Sequence, residues 1–415
     1  GLYFAYSKFF VSEDAEVVKT TVGNFIYGDV IISSYINGTY SSTVPGKDEG
    51  YTVSNVSCDN GATGTWDNDK WGIKLSNWST RSRCNIYFVD AEKINIGNVA
   101  VPLDAYDLCP TVNADGSATV TEAESTYGYL CSMKDAYGTS YYYRGNVTNN
   151  YVKFAEFYWR IIRINGDGTV RVIYDGTSAH ANGEPSKDRQ VEFVVSFNRD
   201  PGDNAYVGYM YGKTGASTYA ETHANTNNSE IKNLLDDWYE GFVKGKTNEQ
   251  YVKDNIFCND RSFAPNNSGT GTGTSTTYYR WYNFADSPNN NKMMLICPQK
   301  NDAFTVNDTS KGNGALTYGI GLVTSDEVVL AGGWNISNKG YYLYSGPPYW
   351  TMSPYSFSDS HAYEHYVFSD GYAGGASHAY YYDHVGYSKG VRPVLNLSSE
   401  ILKNGDGTAS NPFHP

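Results

Sequence analysis

Four of the chain's seven histidines, His361, His365, His378 and His384, lie within one stretch, with Asp359, Asp370 and Asp383 among them. Imidazoles beside carboxylates are the donor set of a transition-metal site. The spacing argues against one. A helical zinc site presents HExxH, so that both imidazoles share a helix face; the chain contains no HExxH. Other reactive arrangements are missing too. No GxSxG elbow and no phosphate-binding loop occurs, and the GTGTG inside residues 268–277 lacks the strand-to-helix context that would let it cradle a phosphate. No two cysteines are spaced as CxxC, which removes the usual zinc and thiol-redox patterns. These residues predict no catalysis, no metal and no cofactor.

The stretch around the histidines, residues 340–388, predicts contact instead. Twelve of its residues are Tyr, and it holds no Lys, Arg or Ile. A core element would need branched aliphatics, and a disordered tail would lack aromatics. Tyr supplies large, stiff, amphipathic area, while Ser and Gly supply adaptable hydrogen bonding, so the composition is that of a binding surface.

Something must hold that surface. With 415 residues the chain has length for two domains or three. It carries 44 acidic against 31 basic residues, a net charge of −13, which excludes nucleic acid and anionic membrane as expected partners. No apolar run reaches the roughly 18 residues of a membrane span. The opening GLYFAYSKFF reads as a first strand or as the end of a removed export or anchor segment, the latter preferred; membrane contact would come only through such an anchor. Six Cys in a polar, Tyr-rich chain predict disulfides and an oxidising compartment. Pairing of sequence neighbours is expected: Cys58 with Cys84, Cys109 with Cys131, Cys258 with Cys297.

Residues 1–95 read as a small all-β stalk or display domain. Its runs of β-branched and aromatic residues are bounded by Gly, Asn and Asp. Trp66, Trp71 and Trp78 between Cys58 and Cys84 resemble the Cys–Trp–Cys pattern of an immunoglobulin-like sandwich. Residues 96–140 read as a connector with a disulfide-closed hairpin around NADGSATV. Residues 141–415 form the main domain. NGDG at 165–168 turns a hairpin, and Ile231, Leu234, Leu235 and Trp238 recur at helical spacing behind Asn228 or Ser229 as cap. A second short helix is expected over 248–254.

Four segments of this domain, WRIIRINGDGT at 159–169, GIGLVTSDEVVLAGG at 319–333, YWTMSP at 349–354 and GVRPVLNL at 390–397, resemble the C-type-lectin-like variable proteins of diversity-generating retroelements, a bacterial and phage family whose fold is related to formylglycine-generating enzymes. The resemblance covers about residues 105–415. It implies an α+β fold: a C-type-lectin-like domain behind the small β-sandwich. It also implies a variable region at about 340–390, whose adenine-miscopied codons yield Tyr, Ser, Asp, His and Phe but not Trp, Met or Glu. The implied variable, ligand-binding positions are Ser356, Ser358, Asp359, His361, Tyr363, His365, Tyr366, Phe368, Asp370, Tyr372, His378, Tyr380, Tyr381, Tyr382, Asp383 and His384. Trp350, Met352 and Glu364 fall to the scaffold, and Arg392 to a buried carboxylate or to carbonyls. The expected function is that of a displayed adhesin or receptor-binding protein on a bacterial surface or phage particle, gripping a protein or glycan. The alternatives are a pilus or surface-layer subunit and, further off, a formylglycine-generating-type enzyme.

Overall fold

A computed structural model describes residues 17–47, 49–79, 81–90, 109–120, 128–282, 292–334, 338–369, 371 and 382–415. The chain divides into two compact units, residues 1–94 and 95–415.

In the first unit the apolar residues alternate, as a strand with one face on a core requires. Val30, Ile32 and Ser34 of the strand Val30–Ile36 point inward. So do Ile73 and Leu75 of Gly72–Ser76, and Cys84, Ile86 and Phe88 of Ser82–Asp90. Two sheets share this core. One is five-stranded, with Val30–Ile36 running parallel to Ser82–Asp90; the other joins Val17–Val18, Gly72–Ser76 and Thr63–Asp67. Cys58 and Cys84 are bonded, but they sit opposite each other on neighbouring strands of one sheet. The bridge between sheets that an immunoglobulin-like reading expects is therefore not the one formed.

The second unit is built on a seven-stranded antiparallel sheet. Its central strands, Phe157–Ile164 and Val170–Gly176, are buried almost throughout, because both faces of the sheet are covered. Asn165–Gly168 turns between them: Gly168 takes φ +87°, and the Asn165 N–H donates to the Thr169 carbonyl at 2.8 Å. Gly128–Asp135 and Gly138–Gly145, partly assigned to a connector from sequence, are integral strands of this sheet. Cys109 bonds Cys131 on the outermost of them, and Cys258 bonds Cys297. A second sheet runs Glu192–Ser196, Ser388–Val391, Tyr349–Ser358, His361–Val367, Tyr382–His384, with Thr277–Tyr278 also paired to Tyr349–Ser358.

The expected α+β, C-type-lectin-like class is overturned. The protein is β-rich, 39% strand against 13% helix, with seven sheets and three α-helices among the described residues. Only Glu230–Phe242 is long. Ser229 caps it, accepting from the Lys232 N–H, and Ile231, Leu235 and Tyr239 face the core. Tyr219–Thr222 and Ser325–Ala331 are a turn or two each, and the helix expected at 248–254 is a 3-10 turn at Thr247–Tyr251. The physical reason is the scarcity of helix-period apolar stripes in a chain rich in Tyr, Thr, Val and Gly.

Candidate ligand-binding face

The strands Tyr349–Ser358 and His361–Val367 form a hairpin whose two turn residues, Asp359 and Ser360, have φ +48° and +64°. This left-handed pair matches the twist of a tight hairpin, and short polar side chains tolerate it. The His361 Nδ1–H donates back to the Asp359 carbonyl at 2.7 Å, which fixes the imidazole at the hairpin's end.

From His361 a chain of rings runs across the sheet. Its ring centroid lies 5.0 Å from that of His384, which lies 3.6 Å from Tyr387. Tyr363 stands beside His361 at 6.4 Å and opposite His384 across the strands. The Lys389 ammonium sits 5.9 Å from the Tyr387 ring, 4.7 Å from Tyr366 and 5.5 Å from Trp350, within cation–π range of all three. Tyr366 meets Phe368 at 6.2 Å. Tyr387 is 54% and Phe368 37% exposed, while His361, Tyr363 and His384 are half-buried. The strip is anchored from below: the buried Trp350 donates its indole N–H to the Val195 carbonyl at 2.8 Å, and the Gly386 N–H donates to His384 Nδ1 at 3.2 Å. Tyr387 and Lys389 were not among the positions expected from sequence. Their contribution comes from the neighbouring strand Ser388–Val391, which pairs with Tyr349–Ser358 only in three dimensions.

The expected set divides. Asp359 and Phe368 are exposed, and Ser358, His361, Tyr363 and His384 are half-buried. Ser356, His365 and Tyr366 are buried, which corrects the expectation that they could be exchanged freely. Exchange at a packed position leaves a void or a clash. His365 shows why. Its Nδ1 lies 3.1 Å from the Ser325 hydroxyl, its ring packs 4.9 Å from Trp281, and burial holds its pKa down at about 3. Asp370, Tyr372, His378, Tyr380 and Tyr381, and the side chains of Tyr382 and Asp383, lie outside the described residues. Glu364, assigned to the scaffold, is fully buried.

Beneath the sheets the sequence concealed a system of buried ions. Asp175 accepts from Arg189 and Arg392 at 2.8 Å each. Arg392 thus pairs with a buried carboxylate, and it also donates to the Tyr174 and Leu343 carbonyls. Glu327 caps its own helix through Thr324 and binds Arg163 at 3.0 Å and Arg171 at 2.6 Å. His180, nearly buried, is held between Glu184 and Asp188 at 2.8 Å each. A cavity of about 30 Å³ beside the Cys258–Cys297 bridge, lined by Arg171, Asp260, Arg280 and Asp326, has room for about two waters. Among the described residues no group of three or more His, Cys, Asp or Glu is placed to hold a metal.

The fold and this face define a two-unit, disulfide-bonded β protein with an aromatic strip on a braced sheet. No known protein family, curated protein or solved structure matches the chain. Its three disulfides mark an oxidising, extracellular environment.

Proposed function

We propose that the protein is a surface-displayed binding protein, and that the strip from His361 through His384, Tyr387 and Lys389 to Phe368 grips a macromolecular target. The carrying observation is a cluster of half-exposed rings, His361, His384 and Tyr387, joined through Lys389 to Tyr366 and the exposed Phe368. Rigid aromatic side chains lose little entropy on contact, and interfaces concentrate their energy in such residues. The test is the triple variant His361→Ala, Phe368→Ala, Tyr387→Ala, with the immobilised full chain screened against intact bacterial cells and purified surface polysaccharides. Phe368 and Tyr387 are exposed, where substitutions cost less than about 0.5 kcal/mol each, and His361 is half-buried at a hairpin end, so melting should shift little while binding to the captured target is lost. A wild type that captures nothing, or a variant that binds as the wild type does, rejects the reading.

The motif resemblance supports the further proposal that a retroelement diversifies this face. Exchange would then be confined to the outward positions, leaving Ser356, His365 and Tyr366 constant between isolates. Neighbouring DNA decides it: a reverse transcriptase gene must lie beside a near-copy of codons 340–390 that differs at adenines.

A further inference from the structure

The three disulfides differ in what surrounds their sulfurs. Cys84 is fully buried in one cluster with Val30, Ile32, Ile86 and Phe88, and Cys131 is 3% exposed, so two of the bridges each hold one enclosed sulfur. Cys258 and Cys297 are both half-buried, and both line the small polar cavity beside Asp260, Arg280 and Asp326. Thiol exchange tells these settings apart. An attacking thiolate bonds to one sulfur and expels the other as a thiolate, and a leaving thiol of raised pKa departs slowly. Apolar burial raises that pKa. At Cys58–Cys84 and Cys109–Cys131, attack on the open sulfur must expel the enclosed one. At Cys258–Cys297 either sulfur leaves into a polar setting with room for water.

This bridge also governs a stretch that supports the hairpin Tyr349–Ser358 and His361–Val367. Its two cysteines lie 39 residues apart, and between them runs Thr277–Tyr278, the strand paired to Phe357 and Ser356. The Tyr279 N–H donates to the Tyr355 carbonyl at 3.0 Å, and the Trp281 ring lies 4.9 Å from that of His365. The stretch is tied down a second time at Asp326, which accepts from Arg280 at 2.6 Å and from the Trp281 indole and the Met294 N–H at 2.8 Å each. Among the described residues none of the seven strands of the main sheet lies between the two cysteines. Opening the bridge therefore returns loop entropy to this stretch first, and to the hairpin it supports.

We propose that Cys258–Cys297 is a redox switch on that hairpin, opened by a dithiol reductant. One thiolate of the reductant bonds to one cysteine sulfur as the Cys258–Cys297 bond breaks, and its second thiol then displaces that cysteine. Two electrons and two protons pass to Cys258 and Cys297, which become thiols, and the reductant becomes a disulfide. The hairpin then loosens and its grip on a target weakens. That last step rests on the binding function proposed above, and the test reads the bridge and the hairpin, not the target. The full chain is exposed to dithiothreitol, sampled over time, alkylated and mapped by mass spectrometry. Cys258 and Cys297 should be alkylated at least about tenfold faster than the cysteines of either other bridge. Hydrogen exchange is then compared between the wild type and the double variant Cys258→Ser, Cys297→Ser, both kept oxidised. Exchange at Thr277, Tyr278 and Tyr279 should speed by at least about tenfold more than along Phe157–Ile164 and Val170–Gly176. Another bridge opening first or at the same rate overturns the proposal. So does exchange in the stretch that is unchanged, or that speeds no more than exchange in the main sheet.

Discussion

Asp175→Asn is the substitution whose consequence follows most directly from the structure. Asp175 has no exposed side-chain surface, and three arginines that are equally buried surround it. One of its oxygens accepts from Arg189 Nε and Arg392 Nη2 at 2.8 Å, and the other lies 3.9 Å from Arg160 Nη1. The remaining guanidinium donors are spent on neutral acceptors. Arg189 donates to the Glu184 and Tyr342 carbonyls, Arg160 to Val147, Asn150 and Asn182. Burial already pulls the pKa of Arg160 and of Arg392 below the ordinary arginine range. Asparagine preserves the shape and one acceptor but deletes the only negative charge among three cations. Breaking a buried ion pair from one side costs about 3–5 kcal/mol, and three cations sharing one anion place the cost toward the upper end. For a unit this large each kcal/mol moves the melting temperature by about 2 °C, so the variant should melt roughly 6–10 °C lower. The assay is scanning calorimetry of the full chain, with Glu400→Gln as control. That residue pairs with Lys403 at 3.9 Å on the surface, where a pair contributes about 0–1 kcal/mol. An Asp175→Asn transition within about 2 °C of the wild type would refute the account of a cluster held by one carboxylate.

Two further outcomes follow. Ala155 and Glu156 turn the hairpin between Tyr151–Phe154 and Phe157–Ile164 at φ +51° and +70°, where a side chain costs roughly 1–2 kcal/mol and glycine nothing. Glu156→Gly should therefore raise the stability measured by urea unfolding by about 1 kcal/mol, since the hydrogen bond from Lys153 goes to the Glu156 carbonyl, which glycine keeps. Cys258 and Cys297 close a loop of 39 residues, and opening it by Cys258→Ser with Cys297→Ser should cost about 3–4 kcal/mol, seen as a lowered urea midpoint of the double variant under oxidising conditions, where the other two disulfides stay closed.

What the sequence disclosed depends on the range of the interaction involved. The helix Glu230–Phe242 was legible because its stripe and its cap, Ser229, are local. The hairpin at Asn165–Gly168 was legible because positive φ selects Gly nearby. The disulfides join sequence neighbours within one unit and were read correctly. The four segments that suggested a C-type-lectin-like fold are now placed. They are the buried strands Phe157–Ile164, Ile320–Gly321, Tyr349–Ser358 and Val394–Leu397, with the short helix Ser325–Ala331. Runs of apolar residues around turns report sheet burial, which many β architectures share. Inward and outward positions on the hairpin Tyr349–Ser358 and His361–Val367 were not legible. Register shifts between Trp350 and Pro354 and again between Pro354 and Ser356 break the two-residue period along the strand that carries Ser356, and around Tyr366 both faces of the partner strand are buried. The arginine clusters were hidden for another reason: Arg392 and Asp175 lie 217 residues apart.

The same hairpin carries a prediction that composition could not offer. Glu364 and His365 are consecutive on the strand His361–Val367, so they point to opposite faces, and both are fully buried. Among the described residues neither oxygen of Glu364 has a hydrogen-bond partner, and Arg261, whose field reaches it, is engaged with Asp302 at 2.7 Å. Burial thus holds the Glu364 carboxyl protonated, well above its usual pKa of 4.5. Burial holds the His365 imidazole neutral, its pKa lowered from 6.5 to about 3. The signs are opposite. Between about 3 and 6.5 the unfolded chain binds the His365 proton and the folded chain does not, so stability rises with pH. Above 4.5 the folded chain keeps the Glu364 proton that the unfolded chain releases, so stability falls with pH until the raised pKa is passed. Each slope is at most about 1.4 kcal/mol per pH unit. They oppose each other between 4.5 and 6.5, which gives these two groups a stability plateau there, with decline on both sides. Glu364→Gln removes only the alkaline limb. In urea unfolding above about pH 5 its stability relative to wild type should grow with pH until the raised folded pKa is reached. A difference that stays constant as pH rises from about 5 would mean that the Glu364 carboxyl is ionised inside the fold.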